Sequence, residues 1–151
     1  MSSLFGSIPF VQEGDCFENR ITLSQSGVHA PTRSGISGSV SEGANSVVLS
    51  GEYEDDEDYG DVIVYVGQGG RSPTTGEQVA DQTLTRGNRA LAVSYERGLP
   101  VRVVRGPNPG SSFAPAEGYR YDGLYTVTDY WRAPGLRGFT VWKFRLEKIK
   151  A

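Results

Sequence analysis

The sequence has few of the residues on which enzyme chemistry most often depends. Cys16 is the only cysteine and His29 the only histidine among 151 residues. Disulfides within the chain and Cys/His zinc sites are therefore excluded, because each needs several such residues. A serine triad would have to use His29, and neither Gly-x-Ser-x-Gly nor a phosphate-binding glycine motif is present. We expect a structural role for His29, a domain without catalytic residues, and no metal or cofactor.

Long apolar runs are also absent. No stretch approaches the roughly 20 residues that a membrane-spanning helix needs, so no membrane partner is expected. By contrast, 20 glycines and 8 prolines indicate many turns. This composition predicts one α+β, mainly β domain over residues 1–151. The near absence of cysteine fits a cytosolic setting.

The pattern of apolar residues predicts an antiparallel, strongly curved sheet with a few short helices. Runs of β-branched and aromatic residues bounded by turn residues indicate strands at 46–50, 61–66, 101–105, 124–131 and 139–149. The last two should form a hairpin. A helix is predicted to begin with Asn88 as its cap and to end before Gly98, and a second helix is expected over about 15–23.

Charge is distributed unevenly along the chain. The net charge is −3, but residues 1–70 hold 11 acidic and 2 basic residues, whereas residues 71–151 hold 7 acidic and 13 basic residues. Ten of those thirteen are arginine, whose planar guanidinium suits phosphate oxygens and base edges. The asymmetry is compatible with an acidic pocket beside a basic surface, or with a random scatter of surface charge.

The segment 51–60 is the most informative part of the chain. It places five consecutive acidic residues, Glu54 to Asp58, between Tyr53 and Tyr59, with glycines at both ends. Aromatic faces, a carboxylate and close backbone approach together suit a flat polar ring, such as a nucleobase flipped out of DNA. Calcium is not expected, because an EF-hand loop starting at Asp56 would lack the glycine required at its sixth position.

A series of motifs runs in order along nearly the whole chain. Its segments are Phe5-Gly-Ser-Ile-Pro9, Gly14-Asp15, Ser26-Gly-Val-His29, Gly35-Ile-Ser-Gly38, 46–56, Gly60, 65–71, 81–82, 84–85, 88–92, 100–105, 119–125 with the tripeptide Tyr121-Asp-Gly123, and 138–142. This series resembles the SRA family (SET- and RING-associated, also called YDG after that tripeptide), whose members read modified cytosine in DNA.

The resemblance implies a crescent-like, PUA-like β-barrel that binds double-stranded DNA with one modified cytosine turned into a pocket. Tyr53 and Tyr65 would stack on the two faces of the base, and Asp56 would accept a hydrogen bond from its N4 amine. The implied pocket comprises Tyr53, Asp56, Tyr65, Ser50, Gly51, Glu52, Val66, Gln68 and Gly35.

Gln68 departs from the family pattern. It occupies a position that is commonly small and that lines the cavity for the 5-methyl group. An amide there would either crowd a methyl group or donate to the oxygen of a hydroxymethyl group. The choice among 5-methylcytosine, 5-hydroxymethylcytosine and cytosine therefore stays open.

Two loops are expected to enter the DNA grooves. One is 31–35, with Arg33 filling the space that the flipped base leaves. The other is 71–80, which is shorter than in vertebrate members, with Glu77 and Gln78 near its tip. Phosphate contacts are expected from Arg71, Arg86, Arg89 and Arg105.

The resemblance further implies a bacterial specificity domain of a modification-dependent restriction system, with a fused or associated HNH nuclease domain outside these residues. Two alternatives stay open. One is metal-dependent nuclease activity in this chain, although all three lysines lie at 143–150, away from the acidic run. The other is a protein-interaction module that docks through the acidic segment.

Overall fold

The computed structural model of the chain describes residues 4–51 and 55–150. Eight strands and two helices make up the regular structure, which confirms the mainly β prediction. In chain order they are β1 (Cys16–Phe17), α1 (Arg20–Ser26), β2 (Ile36–Ser39), β3 (Gly43–Leu49), β4 (Glu57–Asp58), β5 (Val62–Val66), α2 (Arg86–Arg97), β6 (Pro100–Arg105), β7 (Tyr119–Pro134) and β8 (Thr140–Lys148).

The strands form one mixed sheet in the order β2-β3-β6-β7-β8-β5-β4, with β1 paired to β7. All neighbouring strands are antiparallel except β3 and β6, which run parallel. A parallel pair needs a long crossover, and here the connection includes β4, β5 and α2. Among the described residues the hydrogen-bonded order does not close β4 onto β2.

The β7–β8 hairpin is the longest paired unit and confirms the prediction from alternating residues. Strand β8 also pairs with β5, which sets Tyr65 opposite Phe144 and Ile63 opposite Leu146. Phe144 and Leu146 are fully buried. This pairing fixes the position of β5. It therefore also fixes the point at which the segment after Val66 leaves the sheet.

Helix α2 packs on β2, β3 and β7. Its N-cap is Thr85, and the predicted cap Asn88 lies inside the first turn with its side chain buried. The Asn88 side chain is buried because its amide forms hydrogen bonds with the backbone of Gln68 and Thr83. The predicted end is confirmed, since Gly98 takes the left-handed conformation with φ of 64°.

Helix α1 begins later than predicted. Cys16 and Phe17 form β1 and pair with β7, and Asn19 and Thr22 then form a reciprocal capping box at the start of the helix. Neither helix in the described part of the chain is long and apolar enough to cross a membrane.

Candidate nucleic-acid interface

A cavity of about 150 Å³ lies between loop 31–35 and strands β3 and β5. Of the predicted pocket residues, the structure brings Gly35, Ser50, Asp56, Tyr65 and Gln68 together in its lining. The lining also includes the predicted groove residue Arg33 and two residues that the sequence did not indicate, Ser34 and Val48. The predicted residues Glu52 and Tyr53 lie outside the described residues.

Tyr65 forms a fixed wall of this cavity. Its side chain is 6% exposed, and its hydroxyl donates to the Gly35 carbonyl at 3.1 Å. A Cβ atom at position 35 would stand 2.9 Å from the Tyr65 hydroxyl oxygen. Glycine is therefore required at position 35 for the loop to approach the ring this closely.

Asp56 presents its carboxylate to the cavity in an orientation set by the sheet. Its Oδ1 accepts a hydrogen bond from the Val66 backbone N–H at 2.7 Å. Val66 itself is buried and lies outside the lining, so its backbone orients Asp56 instead of forming the cavity wall. Gly51, also predicted in the pocket, is exposed and lies beside Asn108.

Arg20 fixes the backbone of loop 31–35 through hydrogen bonds. Nothing in the sequence indicated this role for Arg20. The Arg20 guanidinium donates to the carbonyls of Pro31 at 2.9 Å, Arg33 at 3.4 Å and Ser34 at 2.6 Å. These bonds fix the backbone of the loop while the Arg33 side chain stays exposed at the cavity. The backbone of the loop is thus preorganised.

His29 provides the second anchor of this loop, in agreement with the structural role expected for it. It is fully buried, with Nε2 donating to the Ser34 carbonyl at 2.8 Å and Nδ1 accepting from the Ser46 hydroxyl at 2.7 Å. Burial lowers the pKa of His29 to about 4, and the nearby Arg20 and Arg102 charges act in the same direction. The ring is therefore neutral at neutral pH, and because a carbonyl can only accept, its one proton is assigned to Nε2 and Nδ1 becomes the acceptor.

Gln68 closes one side of the cavity. Asn88 holds its backbone in both directions, accepting from the Gln68 N–H at 2.8 Å and donating to the Gln68 carbonyl at 2.9 Å. The Ser34 hydroxyl donates to the side-chain oxygen of Gln68 at 3.4 Å. Gln68 also lines a second cavity of about 240 Å³ at the start of α2.

Loop 71–80 folds back on itself as a small turn. Arg71 and Gln78 pair as an antiparallel bridge, and the turn lies at 73–75. Gln78 is therefore at the base of the loop and not near its tip as predicted, because its amide donates to the carbonyls of Gly69 and Ala80. The Arg71 Nε donates to the Gly76 carbonyl at 2.7 Å and stabilises the turn.

The arginines predicted to contact phosphate occupy different environments. Arg86 is exposed at the first turn of α2, and Arg89 pairs with Glu96 at 3.0 Å on the helix surface. Arg105 is only 4% exposed, because its guanidinium is enclosed by Asp58 and Asp122. A phosphate contact from Arg105 does not fit this position.

The Arg105 ion pairs border a larger cavity of about 530 Å³ that includes Asp122 of the Tyr-Asp-Gly motif. Arg120 binds the same Asp122 carboxylate, and Lys148 pairs with Glu13 at 2.6 Å. Although burial opposes ionisation, hydrogen bonds from Arg105 hold the pKa of Asp58 below its ordinary value. The charges around this cavity are thus extensively paired with one another.

Over residues 4–51 and 55–150, no group of three or more His, Cys, Asp or Glu side chains is arranged to hold a metal ion. The described part of the acidic run, residues 55–58, therefore does not belong to such a cluster. Asp58, one of its members, is instead engaged by Arg105.

Comparisons with known proteins agree with the fold. The family model of the SAD/SRA domain matches residues 4–151. The E3 ubiquitin-protein ligase UHRF1 of Rattus norvegicus is 44% identical over 164 residues, covering 95% of this chain and 21% of that protein. The chain therefore spans about a fifth of this relative's length.

Solved structures are also similar to this chain in fold and sequence. The modification-dependent TagI restriction endonuclease is similar with a TM-score of 0.96 and 44% identity, covering 99% of this chain and 54% of that chain. The SRA domain of SUVH5 bound to fully hydroxymethylated CG DNA has a TM-score of 0.84 and 39% identity, covering 98% of this chain and 95% of that chain.

Proposed function

The chain belongs to the SAD/SRA domain family, and from this we propose that it binds double-stranded DNA and holds a modified cytosine, flipped out of the helix, in the pocket around Asp56 and Tyr65. The observation that carries the proposal is the carboxylate of Asp56, oriented by the Val66 N–H at 2.7 Å beside the buried Tyr65 ring.

This pair of groups has the chemistry that cytosine needs. Cytosine presents an N4 amine that a carboxylate accepts, whereas thymine presents a carbonyl at the same place. Stacking of a base on an aromatic ring contributes about 1–3 kcal/mol, which offsets part of the few kcal/mol that flipping costs. Tyr53 is proposed as the second stacking ring on the sequence resemblance alone.

The surroundings of the pocket support DNA as the ligand. Arg33 stands exposed at the cavity on a loop that Arg20 and His29 hold in place. Such a side chain is suited to fill the gap left in the duplex by the flipped base. Three exposed or half-buried arginines are proposed to contact phosphates: Arg71, Arg86 and Arg89. Such contacts release counterions from DNA, so they make the binding affinity depend on salt concentration.

We further propose that the chain is a non-catalytic specificity domain of a modification-dependent restriction system. The support is its similarity to the TagI restriction endonuclease, of which it covers 54%. An HNH nuclease domain fused to or associated with this domain is the proposed partner. The similarity to the E3 ubiquitin-protein ligase UHRF1 indicates that related domains also occur in proteins with other activities.

A fluorescence-anisotropy titration at fixed salt tests the binding proposal. One duplex sequence carries cytosine, 5-methylcytosine or 5-hydroxymethylcytosine at a single site, fully or hemi-modified. A lower Kd for at least one modified duplex is expected. Equal Kd values for all duplexes would reduce the proposal to general DNA binding, and the absence of binding would overturn it.

Flipping is tested separately with 2-aminopurine placed next to the target base. Loss of stacking raises the fluorescence of this base analogue, so an increase on adding protein to the modified duplex is expected. Binding without any change in fluorescence would contradict the flipped-base pocket.

A further inference from the structure

Gln68 is the wall between two cavities. It lines the 150 Å³ pocket together with Asp56 and Tyr65, and it lines the 240 Å³ cavity together with Thr85 and Arg86. The position of this one side chain therefore determines how much space the pocket offers on that side.

The backbone of Gln68 is fixed. Only its side chain can therefore move and change how the space is divided between the two cavities. Asn88 binds both the N–H and the carbonyl of Gln68, at 2.8 Å and 2.9 Å. The preceding carbonyl, that of Gly67, accepts from the buried Gln82 amide at 2.7 Å. Each of these side chains is itself buried, which makes the clamp rigid.

Two contacts locate the carboxamide of Gln68. The Ser34 hydroxyl donates to its oxygen at 3.4 Å, a long and therefore weak hydrogen bond. On the other side the carboxamide lies against Gly87 in the first turn of α2. A Cβ atom at Gly87 would stand 2.7 Å from Nε2 and 3.1 Å from Cδ of Gln68.

We propose that Gly87 and Ser34 together position the carboxamide of Gln68, and that this position sets the size of the 5-substituent that the pocket accepts. The inference rests on the proposed function, because it concerns the cytosine held there. Glycine inside a helix is destabilising relative to alanine, so space for Gln68 gives a physical reason for Gly87 at this position.

The geometry gives the direction of the expected effect. An alanine at position 87 displaces the carboxamide from α2. The Ser34 hydroxyl donates mainly to the Ile36 carbonyl at 2.9 Å, so its 3.4 Å contact with the Gln68 oxygen is too weak to resist movement. Because the carboxamide lies between Gly87 and the 150 Å³ pocket that Ser34 lines, displacement away from α2 moves it toward that pocket. The space for a 5-substituent then shrinks, and binding of modified cytosine weakens relative to unmodified cytosine.

Four proteins test the inference: the unaltered chain, Gly87→Ala, Gln68→Ser, and the double variant. Each is titrated by anisotropy with the cytosine, 5-methylcytosine and 5-hydroxymethylcytosine duplexes. Gly87→Ala is expected to lower the preference for modified duplexes by about threefold or more, as is typical for residues in direct contact. In the Gln68→Ser background the same change should have no effect, because the shorter side chain does not reach α2.

The outcomes separate this inference from the proposed function. An unaltered chain that binds all duplexes equally would overturn this inference and reduce the proposed function to general DNA binding, and an unaltered chain that binds none would overturn both. A preference that Gly87→Ala leaves intact would overturn only the role of Gly87. The same loss in both backgrounds would show that the effect passes through α2 and not through Gln68, which also overturns the inference. A Cβ atom at position 87 would also stand 3.1 Å from Cβ of the buried Ile36, so thermal melting of all four proteins checks that each is folded.

Discussion

Two of the cavities in the described part of this domain differ in how their charged groups are used. Around the 530 Å³ cavity, Arg105 binds Asp58 and Asp122, and Lys148 binds Glu13. In the 150 Å³ pocket, the Asp56 carboxylate is oriented by a backbone N–H and stands beside an aromatic wall. The ion pairs around the larger cavity stabilise the fold, whereas the smaller cavity, in which a carboxylate lies beside an aromatic ring, is the proposed site for the base.

The largest effect is expected from breaking the ion pairs of the larger cavity. Arg105→Met leaves Asp58 and Asp122 partly buried without their shared partner, and loss of one member of a buried pair costs about 3–5 kcal/mol. Urea unfolding followed by circular dichroism measures this loss. Arg89→Met is the matched control, because Arg89 forms an exposed pair with Glu96, and such pairs contribute about 0–1 kcal/mol. Equal losses in the two variants would contradict the structural role of the Arg105 network.

A second effect, of about 3 kcal/mol, is expected from protonation of His29 beneath the smaller pocket. The pKa of His29 is about 4 when folded, against an ordinary value of 6.5, so below pH 6.5 the unfolded chain binds the proton more readily. The contribution of His29 to stability is therefore fully present above pH 6.5, falls as the pH decreases toward 4, and levels off below that.

Urea unfolding between pH 4 and pH 7 tests this dependence. Other acidic groups titrate in the same range, so the informative quantity is the difference between the unaltered chain and His29→Gln, which cannot titrate at this position. The two stability curves should converge as the pH falls. Parallel curves would show that His29 is not held neutral by burial.

These two predictions depend on long-range contacts that a single sequence does not reveal. Arg105 stands in the strand predicted over 101–105, and strand β6 is found there. Its partner Asp58 is 47 positions away in the chain, and only the fold shows that they meet. The same holds for Arg20 and His29, whose contacts with loop 31–35 carry no sequence signal beyond the residue types.

Elements with long, regular patterns were predicted well, and short ones were missed. The β7–β8 hairpin, β5 and β6 follow from their alternating or apolar residues. Strands β1 and β4 have two residues each, too few for any pattern, and β2 is interrupted by a register shift at Gly38. Helix α2 was given the wrong cap because the tertiary contact of Asn88 with Gln68 outweighs its local capping preference.

The pocket was predicted from family motifs, with five of its lining residues brought together. Ser34 and Val48 were missed, because a serine in a loop and a valine in a strand are ordinary residues there. The role of Tyr53 stays a prediction, since this residue lies outside the described residues.

Removing one carboxylate from each cavity tests which of the two cavities binds the modified base. Asp56→Ala is expected to weaken binding of modified duplex by about 10- to 100-fold, since a hydrogen bond to a charged group contributes about 1.5–3 kcal/mol. Binding of unmodified duplex should change little, because phosphate contacts remain. Asp61→Ala is the control: Asp61 lines the larger cavity and pairs with Lys150, and its loss should leave the preference intact. Equal effects of the two changes would place the binding site elsewhere.

The smallest effect concerns discrimination within the pocket itself. Gln68→Ser shortens the wall beside the base and removes a carboxamide that is suited to a hydroxymethyl oxygen. We expect the preference to shift toward 5-methylcytosine by about fourfold, because burying one methyl group contributes about 0.8 kcal/mol. The measured quantity is the ratio of the Kd values for the 5-methylcytosine and 5-hydroxymethylcytosine duplexes. Gln25→Ser, an equivalent change on the exposed face of α1, should leave the ratio unchanged. If Gln68→Ser also leaves it unchanged, the pocket distinguishes these bases by another wall, and Tyr65 or Ser34 becomes the next residue to alter.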